Sequence, residues 1–248
     1  MIRCETQNQI AVLKMDDGKV NAIDVEFLYE LNDHLDQLAK SDARAIILTA
    51  SGSVFSAGVD LFRVLNGGAS YLEKFLPLFS PVFEKFFLFP KPVIAATNGH
   101  AIAGGCILTC ACDYRIMSQG DGRIGVPELL VGVPFPLIAL EIMRFATPFP
   151  YLQQLIYTGA TPTPEVALRM GLVDEVVAAE KLMERAQKMA QQLAAIPANS
   201  FRIVKRALRK EAVERTKANQ QEIFESWQSP QIHAVIRNYL DKTIGKNR

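Results

Sequence analysis

The chain has 248 residues, 49% hydrophobic and 21% charged, enough apolar material for one large core or a main domain with a smaller appendage. With 27 basic against 26 acidic residues the net charge is +1, so no global field draws in nucleic acid or an anionic membrane, and any anion site must be local. No apolar run reaches the roughly eighteen residues a membrane helix needs. The apolar run Pro92 to Ala96 is cut at once by Thr97-Asn98-Gly99. The first fifteen residues lack the layout of a secretory signal or a transit peptide, and Lys246-Asn247-Arg248 is no peroxisomal address, which makes the cytoplasm the expected location.

In chain order, Ile2 to Met15 reads as two short strands joined near Asn8 and ended by the turn Asp16-Asp17-Gly18. A helix is predicted from Asp24, a good N-cap, because Phe27, Leu28, Leu31, Leu35 and Leu38 recur at helical spacing. Arg44 to Ala50 and Lys91 to Thr97 have the length and content of buried parallel strands, with a loop over Ser51 to Asp60 and a helix over Tyr71 to Phe89 between them. Ala103-Gly104-Gly105 opens a helix to about Ala111, and a strand follows at Asp113 to Met117. This strand, loop, helix order predicts stacked βα units with ligands at the strand ends.

From Pro136 the pattern reads as almost entirely helical, over Leu137–Phe145, Pro148–Tyr157, Pro164–Met170, Lys181–Ala195, Ser200–Leu208 and on to Ile244. The Ala194 to Asn199 break, with Pro197 inside it, is the expected boundary between a main domain, 1–196, and a C-terminal helical region, 197–248. No repeat of solenoid period is evident.

Cys106, Cys110 and Cys112 cluster while Cys4 is remote, a pattern of reduced thiols rather than a disulfide framework. Their spacing matches no zinc site. The residues between them, Ile107, Leu108 and Ala111, predict a buried helix in which cysteine serves as a small hydrophobe.

Three segments carry the chemistry: Phe55-Ser-Ala-Gly-Val-Asp-Leu61, the run from Lys91 through Gly104-Gly105 to Cys106, and Cys112-Asp-Tyr-Arg-Ile116. In order and spacing they resemble the crotonase superfamily, the enoyl-CoA hydratase/isomerase fold. The resemblance reaches from Val20-Asn21-Ala22 through Gly125-Val-Pro-Glu128 to Ala167–Asp174. It implies an α/β fold of stacked ββα units with a C-terminal helical region. It also implies an acyl-CoA substrate with no further cofactor, no nucleic-acid or membrane partner, and assembly as a homotrimer or dimer of trimers through the terminal helices.

Glycines at 104 and 105, directly before a helix, allow close backbone approach and leave first-turn N–H groups free at the positive end of the helix dipole. In the family that anion receptor is completed by the N–H after the glycine of the FSAG segment, which carries over to Val59. The resemblance thus implies an oxyanion hole between Val59 and Gly104. It also implies coenzyme contacts, mostly main chain, around Ala22, Ser56, Ala57, Asp60, Leu61 and Gly105, the stretch from Asp60 running on to Phe62.

Hydratases of this family carry two glutamates. At the first position this chain has Ile107; at the second it has Glu128. Two carboxylates share the work of adding water, whereas a single one suffices for a 1,3-proton shift from C2 to C4. Val133-Pro-Phe-Pro-Leu-Ile138, where hydratases have a glycine-rich run, makes the site bulkier and drier. The pattern resembles monofunctional Δ3,Δ2-enoyl-CoA isomerases. Dienoyl-CoA isomerases need a further acid where Pro136 stands. The alternatives are an enoyl-CoA hydratase, or a non-catalytic CoA- or RNA-binding relative.

Other features have plainer readings. Asp113 is expected to cap or ion-pair. His34 is expected on a solvated helix face, His100 near the Gly-Gly loop, and His233 without catalytic neighbours. Arg202, Lys205, Arg206, Arg209 and Lys210 are expected on one solvated face of their helix, opposite Ile203, Val204, Ala207 and Leu208, with contact to coenzyme phosphates as the second reading. Phe75, Phe79, Phe83, Phe86 and Phe87 either line an acyl tunnel or fill core.

Overall fold

The computed structural model describes residues 1–218 and 221–243. Ile244 and Lys246-Asn247-Arg248, on which the sequence reading drew, lie outside the described residues. Strands Ile2–Gln7 (β1) and Ile10–Met15 (β2) form an antiparallel hairpin whose turn residues Asn8 and Gln9 take φ of 51° and 61°. After Ala22–Ile23 (β3), the first helix, Val25–Lys40 (α1), starts where Asp24 accepts a hydrogen bond from the Phe27 N–H at 2.7 Å. Its five expected apolar residues are its buried stripe.

Three strand-strand-helix units follow. The first is Ala45–Ala50 (β4), Val54–Ser56 (β5) with Gly58–Val59 (β6), and Leu61–Phe87 (α2). The second is Val93–Thr97 (β7), His100–Ile102 (β8) and Gly104–Ala111 (α3). The third is Tyr114–Ser118 (β9), Ile124–Gly125 (β10) and Glu128–Val131 (α4). Helices Leu137–Ala146 (α5), Phe149–Thr158 (α6) and Pro164–Arg169 (α7) lead to Glu175–Val177 (β11). Leu182–Ala194 (α8), Ala198–Arg215 (α9), Gln221–Gln228 (α10) and Pro230–Thr243 (α11) complete the chain. Among the described residues no helix is long and apolar enough to cross a membrane.

The first strand of each unit enters a sheet of order β1-β2-β4-β7-β9-β11, parallel except for the β1-β2 pair, while the second strands form a smaller parallel sheet, β10-β8-β5. A third pair, β3-β6, is also parallel. Strand alternation divides the core. Ile46, Leu48, Val93, Ala95 and Met117 face a main cluster shared with α1, α2 and α3, whereas Ala45, Ile47, Ile94, Ala96 and Ile116 face Leu182, Ala186, Met189 and Ala190 of α8. Both faces of the central strands are therefore covered, which explains their unbroken apolar runs.

Four expectations are corrected. The second helix begins at Leu61, ten residues before Tyr71, because Asp60 caps it by accepting from the Arg63 N–H at 3.0 Å; Gly68 (φ 53°, ψ −143°) then kinks it. The stretch after Pro136 holds a strand, β11, a three-residue edge too short for alternation to be read. His34 is half-buried, its Nε2 3.0 Å from the Ile2 carbonyl oxygen.

The largest correction concerns α9. Lys205 and Arg209 are only 5% and 3% exposed, while Ile203, Val204 and Leu208 are 52%, 56% and 66% exposed. The cause is a socket of negative ends. Asp113 accepts from Lys205 Nζ at 2.7 Å and pairs with Arg209 at 2.9 Å, and Arg209 also donates to the carbonyls of Phe87, Ala111 and Cys112, the C-terminal ends of α2 and α3. Only Arg202, Arg206 and Lys210 of the expected basic face remain exposed. Asp113 is the ion-pairing residue it was expected to be.

Candidate active site

Each unit delivers one element of the site at the end of its second strand: Val59 closes β6, Gly104 follows β8 and Glu128 follows β10. The small sheet β10-β8-β5 sets the ends of β8 and β10 side by side, further tied by hydrogen bonds from the Ala101 and Ala103 N–H groups to the Arg123 and Gly125 oxygens, both 2.8 Å, and β6 follows directly on β5, paired with β3. Val59, Gly104 and Glu128 line a cavity of about 90 Å³.

Val59 and Gly104 are close neighbours. A methyl built on Gly104 would fall 3.8 Å from the Val59 nitrogen, and one built on Gly58 would fall 2.8 Å from the Gly104 nitrogen. Gly58 also holds φ +83°, so both space and backbone demand glycine there. Gly104 is the first residue of α3, so its N–H has no acceptor within the helix and lies at the positive end of the dipole. Ala103, the N-cap, takes φ 53° and ψ −123°, a conformation costly for any residue with a side chain. That strain turns the chain sharply from β8 into α3.

Glu128 opens the four-residue helix α4 behind Pro127, and Gly132 ends it with φ 87°. The residue as a whole is half-buried, but its Oε2 is shut from solvent without a hydrogen-bond partner. Burial pushes its carboxyl up to about 8, opposed weakly by its own backbone N–H. Among the described residues it is the only carboxylate lining the cavity. Ile107, buried on α3, lines the same cavity where a second acid was looked for. Val133 and Pro136 line it as well, as the bulky run after Gly132 led one to expect.

The remaining expected residues divide into two groups. Ala57 and Leu61 line the cavity beside Val59 and Gly104. Ala22 stands next to them, paired with Gly58 across β3-β6, and Asp60 caps α2. Ser56 and Gly105 sit behind this layer. The Ser56 Oγ donates to the Asn21 oxygen at 2.7 Å and accepts from the Gly58 N–H at 3.2 Å, and a methyl on Gly105 would come within 2.3 Å of the Ser56 oxygen. Their geometry supports the donors rather than facing the cavity. Of the five phenylalanines, Phe75 and Phe79 line the cavity, and Phe83, Phe86 and Phe87 are core.

Sequence reading missed three residues. Trp227 and Tyr239, from α10 and α11, line the cavity. Asn21, buried with φ 47°, accepts from the Asp17 N–H and donates to the Val54 oxygen, both at 2.8 Å. No local pattern marks the aromatic pair; the chain's single tryptophan was the one hint.

This geometry separates two neighbouring glycines. Gly105→Ala drives a methyl into backbone, and we expect it to cost about 1–3 kcal/mol, a fall in melting temperature of roughly 2–12 °C. Gly104→Ala clashes with the Ile23 Cδ1 at 2.7 Å, the free end of a flexible side chain, and lies in ordinary contact with the Gly58 Cα at 3.4 Å and the Val59 nitrogen at 3.8 Å. It should melt within a few degrees of wild type yet lose turnover, because its methyl crowds the two N–H groups. Equal melting losses for both variants would refute this assignment of roles.

An apolar cavity lined by Val59, Gly104 and Glu128 on stacked ββα units defines the class. The model of the enoyl-CoA hydratase/isomerase family matches residues 5–243, and the chain belongs to that family. It superposes on human mitochondrial delta3-delta2-enoyl-CoA isomerase with a TM-score of 0.95 at 25% identity, covering 100% of this chain and 99% of that one. The short-chain-enoyl-CoA hydratase of Clostridium acetobutylicum is 31% identical over 82% of this chain and 79% of its own length. The fatty acid oxidation complex subunit alpha of a Psychrobacter species is 35% identical over 72% of this chain, which spans only 27% of that protein.

Proposed function

We propose that this protein is a Δ3,Δ2-enoyl-CoA isomerase. The thioester oxygen lies between the N–H groups of Val59 and Gly104, and Glu128 takes a proton from C2 of a 3-enoyl chain. The electron pair moves into the thioester to give a dienolate. Glu128 then returns the proton to C4, the C3–C4 double bond becomes C2–C3, and the carboxylate is regenerated. Two fixed donors aimed at the developing oxyanion supply about 3 kcal/mol each.

The observation that carries this reading is that, among the described residues, Glu128 is the single carboxylate lining the cavity, with Ile107 lining it too. A carboxyl drawn up to about 8 is a stronger base than an exposed one, near the pH at which it works. Apolar walls keep out the water that hydration needs. Ala57, Leu61, Ala22 and Asp60 border the coenzyme end, while Ser56 and Gly105 hold the receptor in shape.

Hydration is the second reading, favoured by the hydratase relatives. The purified chain is expected to shift the double bond of 3-enoyl-CoA and to hydrate 2-enoyl-CoA at least about 100-fold more slowly. Rapid hydration with 3-enoyl-CoA untouched would overturn the assignment. A non-catalytic RNA-binding role is disfavoured by the loss of Lys205 and Arg209 from the surface. The exposed row Ile203, Val204 and Leu208 is the surface we assign to self-assembly as a trimer or dimer of trimers. Light scattering should report one of these; a monomer would contradict it.

A further inference from the structure

Helix α10 borders two separate spaces through neighbouring side chains. Trp227 lines the site, while Ile223 and Phe224 of the same helix line a second cavity of about 310 Å³ outside it. Pro136 borders both spaces, so they share a partition. Trp227 is 3% exposed, and its Nε1 donates to the Pro134 oxygen at 3.0 Å, which pins the indole to the segment carrying Pro136. Helix α2 also runs between the two spaces, with Phe75 and Phe79 on the site and Leu76, Pro77, Ser80 and Pro81 on the second cavity. Phe75 and Phe79 lie 5.7 Å apart, and Phe79 stacks on Phe83 at 4.1 Å, so core aromatics back that wall.

We propose that Trp227 limits the length of acyl chain the site accepts. The indole closes the small inner cavity, selecting short chains, and its loss joins that cavity to the larger one so that longer chains are seated. This inference rests on the acyl-thioester reading above. Each methylene seated against apolar wall strengthens binding roughly fourfold, and a methylene that meets the indole gains nothing.

The test is calorimetric affinity of the full chain for saturated acyl-CoA thioesters from butanoyl to dodecanoyl, with turnover of 3-enoyl-CoA of matching lengths, for wild type, Trp227→Ala and Trp227→Phe. Wild-type affinity is expected to climb with length, then break. Trp227→Ala should carry the break at least two methylenes further, gaining tenfold or more on the longest chains relative to the shortest. Trp227→Phe, which keeps most of the bulk without the hydrogen bond, should keep the wild-type break. Should Trp227→Ala not fold, Trp227→Leu must move the break by at least one methylene. An unmoved break, or an equal loss at every length, overturns the proposal. Binding that follows this pattern without turnover of 3-enoyl-CoA would leave the gate standing and sink the isomerase reading.

Discussion

Glu128→Gln is expected to lower kcat on 3-enoyl-CoA by about 10³-fold, within the 10²–10⁴ range of a lost proton carrier, while leaving the fold intact. Wild-type kcat/KM should rise with pH through an apparent pKa near 8, the value to which burial carries the free carboxyl, because only the ionised form accepts a proton. The stability of the free protein should move the other way. With the folded-state pKa above the unfolded one, the native state binds the extra proton between pH 4.5 and about 8, so stability falls as pH rises through that window and levels off above it. Glu128→Gln has no proton to lose, so the stability difference between variant and wild type should grow across the same window. Chemical denaturation at several pH values measures this directly. A variant retaining most of its rate, or a difference flat in pH, would remove Glu128 from the role of base in a dry site.

Asp113→Ala should be the most destabilising single change outside the site, at about 3–5 kcal/mol, because it leaves buried cations without their counterion. The two cations will respond differently. Burial already draws the Lys205 ammonium down to about 8, so Lys205 sheds its proton at modest cost once Asp113 is gone. Arg209 cannot deprotonate, and it stays charged against the carbonyls that end α2 and α3. We expect the melting temperature to fall by roughly 6–20 °C. Asp113→Asn, which keeps the shape and a hydrogen-bonding oxygen, should lie between. A melting temperature within 2 °C of wild type would mean that α9 is held by apolar contact alone.

Legibility tracked the range of the interactions. Helix α1 could be read from apolar residues at helical spacing, β4 and β7 from short unbroken apolar runs, and α3 from the glycines that open it, and Asp24 and Gly104 sit where a cap and a helix start are locally required. The two- and three-residue strands β3, β5, β6, β8, β10 and β11 were out of reach, since so short a run shows no alternation and is held only by its neighbours. Those small strands are what gather Val59, Gly104 and Glu128 from three units.

By itself, then, the sequence determined the repeating strand-helix order, the Gly104-Gly105 start of α3, and a glutamate at position 128 with isoleucine at 107, because each is a property of residue type at a local position. Tertiary structure alone decided the rest. It turned Lys205 and Arg209 inward, since the carboxylate that receives them lies 92 residues or more away along the chain. It brought Trp227 and Tyr239 onto the cavity by folding α10 and α11 across α2. It set the proton affinity of Glu128, because desolvation belongs to the surroundings a carboxylate is packed into and not to the carboxylate.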